Sequence, residues 1–191
     1  MTSRSRPSAP SSKLLMLTDT EIDALLALGL LRYSKRPMRY DELRAEAQGY
    51  GLLEPDLFGR SYLLDAEELA EGGAACALEE LRGVLEANGV AVGLVSVEYD
   101  AGSGATLLLV NGEPHVLDSD AFDSNVSWRT YSVSFFAIVN KLLAQAGSSE
   151  RLFGFRLFAN DQTGVFLTPQ LHGALERLGI GDSLEVPQNA V

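Results

Sequence analysis

Read for apolar positions alone, the chain changes its period several times. "TDTEIDALLALGLLRY" sets Ile22, Leu25, Leu26, Leu30 and Tyr33 at helical spacing. Thr18 precedes this run and Glu21 stands three residues on, the spacing of a capping box. Pro37 separates the helix from a second short one, "YDELRAEA". Residues 49–64 lose periodicity but keep Tyr50, Leu52, Leu53, Leu57, Phe58, Tyr62 and Leu63, so they read as a loop that packs. From Asp65 the pattern is helical again: "AACALEELRGVLEA" carries Ala74, Leu78, Leu81 and Leu85 on one stripe.

The period then shortens. "VAVGLVSVEY", "ATLLLV" and "EPHVLD" read as three strands, joined by "DAGSG" and by Asn111-Gly112, the two-residue signal of a tight hairpin. "SWRTYSVSFFAIVNKLLAQAG" is a long helix with Trp128, Tyr131, Phe135, Ile138, Val139 and Leu142 along one face. "RLFGFRLFA" and "TGVFL" form another hairpin around "NDQ". "TPQLHGALERLG" closes the chain as a helix capped by Thr168, with Pro169 in its first turn. Helix, strand, glycine turn and strand recur at an offset of 60, with Gly104 matching Gly164. Hairpins interleaved with helices predict an α+β fold: an antiparallel or mixed sheet of about five strands, helices mainly on one face, and a small helical N-terminal segment. The expected organisation is a disordered arm over 1–13, rich in Ser, Pro and Arg, a helical segment and packed loop over 14–64, and an α+β body over 65–191.

Composition narrows the class. The 191 residues are 46% hydrophobic, enough for one sizeable core. A single cysteine, Cys76, forms no intramolecular disulfide and fits a reducing compartment. The polar N-terminus does not resemble a secretory signal, and the apolar clusters are too short to span a bilayer, so the expected place is the cytoplasm, with no membrane contact. Charge is uneven. Residues 1–44 hold eight Lys and Arg against five Asp and Glu; residues 45–191 hold seven against twenty-one. So acidic a body repels nucleic acid and attracts a basic protein surface.

Candidate chemistry concentrates in "VNGEPHVLDSDAFDSN". Hairpin geometry at Asn111-Gly112 pairs Val110 with Glu113 and Leu108 with His115, and Pro114 marks an edge strand, which leaves His115 half exposed. Asp118, Asp120 and Asp123 then precede the long helix, whose dipole and free amides favour acids. The run echoes a calcium loop but has Asp123 where that loop needs glycine and Arg129 where it needs glutamate, so no metal is expected. Nor is there a phosphate-binding glycine loop, paired zinc spacing or any other cofactor motif.

Three functional readings follow. The first is a non-catalytic protein-binding module, most concretely an immunity- or antitoxin-like inhibitor whose acidic face covers a basic partner. Asp118, Asp120 and Asp123 would supply charge, and Tyr50, Phe58 and Tyr62 would be exposed anchors. The second is a cysteine hydrolase using Cys76, His115 and Asp118, in the helix-cysteine, strand-histidine order of papain-like enzymes. Against it, "GGAACALEEL" offers no nucleophile signature, and Cys76 beside an apolar stripe reads as a small hydrophobe. The third is a nucleic-acid-binding regulator using Arg32, Lys35, Arg36 and Arg39 in a helix-turn-helix-like segment over 32–44; no basic recognition helix follows, and a basic corner docked on the acidic body explains the same residues.

Overall fold

The architecture is that of a computed structural model, which describes residues 17–35, 37–49, 58–118, 128–155, 160–179 and 184–185. The arm over 1–13 lies outside them. The described elements are α1 (Asp19–Ala27), α2 (Tyr40–Gly49), β1 (Ser61–Asp65), α3 (Ala66–Glu68), a π-helical turn (Leu69–Gly73), α4 (Ala74–Glu80), α5 (Arg82–Ala87), β2 (Val95–Asp100), β3 (Ala105–Val110), β4 (Glu113–Asp118), α6 (Trp128–Gln145), β5 (Arg151–Phe155), β6 (Asp161–Leu167), α7 (Pro169–Arg177) and β7 (Leu184–Glu185). The class is α+β.

Local chemistry sets the element ends. Thr18 and Glu21 form the capping box at α1: the Thr18 amide donates to Glu21 Oε2 at 2.7 Å and the Glu21 amide to Thr18 Oγ1 at 3.3 Å. The helix is shorter than its apolar period suggests. Gly29 turns the chain at φ 85°, which leaves Leu30 and Tyr33 beyond the helix. Thr168 caps α7 through the Leu171 amide, with Pro169 following as predicted.

The expected single sheet of about five strands is instead two antiparallel sheets. One has the order β1-β6-β5-β7 and the other β2-β3-β4. The excess comes mainly from β1. The sequence pattern puts residues 61–64 in a loop because Tyr62, Leu63 and Leu64 do not alternate, yet β1 pairs with β6 from Ser61↔Val165 to Asp65↔Asp161. This strand runs across the expected boundary at residue 65.

Helices on one face is the second correction. The four-stranded sheet is covered on both. Leu64, Leu152 and Phe166 join a core with Leu78, Leu81 and Leu85 of the α4–α5 run and Phe135, Phe136, Val139 and Leu143 of α6. Phe153, Val165 and Leu167, alternate residues of the same strands, join a second core with Ile22 and Leu25 of α1, Leu43 of α2, and Leu171 and Leu175 of α7. Gly164 is the close point of the first core. A Cβ there would lie 3.0 Å from Leu152 Cδ1 and 3.3 Å from Leu64 Cδ1. The order helix, strand, strand does recur, in α5-β2-β3 and α6-β5-β6, but the glycines do not match: Gly104 sits in a turn at φ 75° and Gly164 inside β6.

A buried polar knot ties the N-terminal segment to the body. Arg60 is 2% exposed and Glu150 is fully buried. Arg60 Nη1 donates to both Glu150 carboxylate oxygens at 3.2 Å and to the Phe166 carbonyl at 2.7 Å, while Nε reaches the Leu30 carbonyl at 2.9 Å. The guanidinium lies over the Tyr33 ring at 4.8 Å. Tyr33 Oη donates to Glu150 Oε1 and accepts from Asn88 Nδ2, and Asn88 Oδ1 accepts from Ser148 Oγ. A buried ion pair is tolerated when its remaining hydrogen-bonding capacity is met this way. Burial raises the Tyr33 hydroxyl pKa, while the Asn88 bond opposes the rise.

Candidate functional site

The three-stranded sheet is built on the hairpin read from the sequence. Asn111 at φ 56° and Gly112 at φ 82° form a turn whose twist suits the strands. The register is Val110↔Glu113, Leu109↔Pro114, Leu108↔His115 and Leu107↔Val116, and a bulge then brings Thr106 opposite Asp118. Among the described residues strand β4 is an edge. A two-residue turn makes Val110 and Glu113 a hydrogen-bonded pair, so by antiparallel alternation the main-chain groups of Pro114 and Val116 point away from β3. Pro114 has no N–H to offer, and the free edge therefore presents the Val116 N–H with the Pro114 and Val116 carbonyls.

Helix α6 packs against β4 and β5 and runs antiparallel to β4. At one end Lys141 Nζ is 3.7 Å from Glu113 Oε1. At the other, Tyr131 Oη is 3.4 Å from Thr106 Oγ1. Beside the free edge lies a groove of about 1000 Å³, lined by Pro114, His115 and Val116 of β4, by Val133, Ser134, Ala137, Ile138, Lys141, Ala144 and Gln145 of α6, and by Arg151 at the start of β5. Arg151 Nη1 is held by the Ser148 and Glu150 carbonyls at 2.8 and 2.7 Å. Val116 is 54% exposed.

His115 is placed in the strand and register expected, but it is 4% exposed rather than half exposed. Its parity in β4 faces the core side, where Leu108 and Leu117 are also buried, and α6 covers that side. Nε2 is buried with no hydrogen-bond partner. Burial holds the imidazole pKa below its ordinary value; Lys141 adds to the depression and Glu113 opposes it. His115 is thus a neutral imidazole at neutral pH.

The other expected site residues disperse. Asp118 is 5% exposed, which removes it from the acidic surface expected of it. Phe58, expected as an exposed anchor, is 2% exposed in the second core. Tyr62 is half-buried, edge-on to Phe166 at 5.7 Å. Tyr50, Asp120 and Asp123 lie outside the described residues. Cys76 is exposed, not tucked into the apolar stripe. It lines a shallow notch with Asp65, Glu68 and Glu80 and no histidine, while the groove holding His115 has no cysteine among its lining residues.

The described arginines of the basic corner are paired within the chain, while Lys35 is exposed. Arg32 is 3.5 Å from Glu150, Arg39 is 2.8 Å from Asp41, and Arg44 pairs with Asp19. Arg36 lies outside the described residues. Among the described residues no three metal-ligating side chains cluster, and no helix is long and apolar enough to cross a membrane.

The groove escapes a reading of the sequence that follows the most apolar face of α6. Val133, Ala137, Lys141 and Ala144 form a second, milder stripe at helical spacing, the available signal. Comparison with known proteins found no matching family model, curated protein or solved structure.

Proposed function

We propose that this chain is a non-catalytic protein-binding module whose partner lies in the groove between β4 and α6. The observation that carries this reading is the groove itself: about 1000 Å³ beside a strand edge whose register turns main-chain groups of Pro114 and Val116 outward, walled by Pro114, Val116, Val133, Ala137 and Ile138. Apolar walls give area, and an edge gives directional hydrogen bonds, the combination used when a peptide adds to a sheet. Catalysis has less support. Ser134 shares the groove with His115, but His115 Nε2 has no partner, so no activated serine–histidine pair forms through it. The separate surroundings of Cys76 and His115 likewise give no support to a cysteine hydrolase.

A second reading, the immunity- or antitoxin-like inhibitor of a basic partner, draws on another surface. Glu67, Glu68, Glu71, Glu79, Glu80 and Glu86 are exposed along α3–α5, and Arg82 pairs with only Glu79 and Glu86 among them. A basic protein would be steered there. The two readings separate in cells with a photo-crosslinking residue at Ala144 or at Glu71. Capture from position 144 that disappears with Val116→Pro supports the groove. Capture of a basic protein from position 71, insensitive to Val116→Pro, supports the acidic face.

A further inference from the structure

Resting on the groove as the binding site, we infer that its occupant is an extended acidic segment of a partner protein, added as a fourth strand on β4. The first argument is the edge. Strand β4 has six residues, about 20 Å of chain, and over Glu113–Val116, before the bulge, the register turns one N–H, that of Val116, outward between two outward carbonyls. A helix cannot use that pattern; an extended segment can. Added there, the segment turns alternate side chains toward Val133, Ala137 and Ile138 on α6, and the rest toward solvent beside Val116.

The second argument is charge. The chain carries 15 Lys and Arg against 26 Asp and Glu, yet the side chains lining the groove include Lys141 and Arg151 and, among the described residues, no carboxylate. Glu113 stands 3.7 Å from Lys141 at the mouth, with both side chains about half exposed, so this pair is screened and exchangeable. Arg151 spends Nη1 on two carbonyls, and these bonds position the guanidinium without neutralising it. A carboxylate on the inward-facing side of the incoming strand meets both cations at the α6 end that holds Lys141, Ala144 and Gln145. A second copy of this chain fits less well, because a net charge of −11 on each copy opposes association.

The test uses the full chain and three short soluble peptides: one alternating valine with glutamate, one alternating valine with lysine, and the glutamate peptide N-methylated at alternate residues. Amide shifts on β4 and α6 locate binding, and titration gives affinity. The glutamate peptide should bind, shift Val116 and the Ala137–Lys141 turn, and weaken roughly tenfold with Lys141→Glu, as expected for loss of one charge-assisted contact. Val116→Pro should abolish binding; its N–H is not used by β3, so circular dichroism should stay unchanged. The N-methylated peptide makes the same test without altering the protein, and its binding at full strength would overturn strand addition. Binding of the lysine peptide in preference overturns the acidic occupant and leaves the groove as a binding site. A concentration-dependent dimer lost with Val116→Pro replaces the occupant by a second copy. No perturbation of β4 or α6 by either unmodified peptide, with no dimer, overturns occupant and site together.

Discussion

Strands β6 and β3 occupy the interior of their respective sheets, and both are apolar over most of their length: "GVFL" in one, "ATLLLV" in the other. Their surroundings differ. In β6, Gly164, Val165, Phe166 and Leu167 are all buried, because α4–α6 cover one face and α1, α2 and α7 the other. In β3, Leu108 and Val110 are buried, but Leu107 and Leu109 are only half-buried and face outward with Pro114 and exposed Val116. A continuous apolar run is the mark of a strand covered on two faces. The first sheet meets that condition within the chain. The second does so on one face only, and its groove opens along the neighbouring edge strand, β4.

Four measurements can break or sharpen this contrast. The largest effect belongs to the knot at the edge of the doubly covered sheet. Glu150→Ala strands the buried Arg60 guanidinium and should cost about 3–5 kcal/mol in urea unfolding; replacing Arg60 and Glu150 together by Met and Leu should cost less. If the single change costs no more than a surface substitution, the knot is not holding the sheet. Next come paired truncations on the two sheets. Leu167→Ala in the second core should cost about 2–5 kcal/mol, whereas Val116→Ala on the open face should stay within about 0.5 kcal/mol. Equal costs would remove the contrast. Third, Gly164→Ala forces Leu152 or Leu64 aside and should cost roughly 1–3 kcal/mol in the same unfolding measurement. At Gly112 an added Cβ would meet nothing within 4 Å, so alanine there is limited only by the positive φ.

The smallest effect is a pH slope. His115 has a depressed folded pKa, so from about pH 6.5 downward the unfolded chain binds the proton first. Its contribution is fully present above that pH and is lost as pH falls toward the folded value. Stability should decline over this window, and His115→Phe should flatten the decline. An unchanged slope in the variant would assign the acid sensitivity to other groups.

Elements with their own punctuation were legible in the sequence. Thr18 with Glu21, Asn111-Gly112 and Thr168-Pro169 marked ends that the structure retains, and the stripe Phe135, Ile138, Val139 and Leu142 is core. Strand β1 was not legible, because Tyr62, Leu63 and Leu64 in succession carry no alternation; it becomes a strand through β6, which lies far along the chain. The division into two sheets follows from such long-range pairing as well. The site was legible only in part. Register and edge character of β4 were local and readable, but the burial of His115 and Asp118 depends on α6 folding back along the strand, and that of Phe58 on the second core. The sequence shows residue types and spacing; it does not show which neighbour arrives.

The Arg60–Glu150 knot has a consequence for how the molecule comes apart. Its members are contributed by the turn after α1, the start of β1, the end of α5, the turn before β5 and the main chain of β6. No one of these segments can leave without stranding a polar group carried by the others. The N-terminal helices and the four-stranded sheet are therefore expected to open as one cooperative unit, which amide exchange would read as a common slow rate. Strand β4 gives no group to the knot and lies at the edge of the other sheet; its link to the unit is apolar, through Leu117 in the core shared with Leu152 and Phe166.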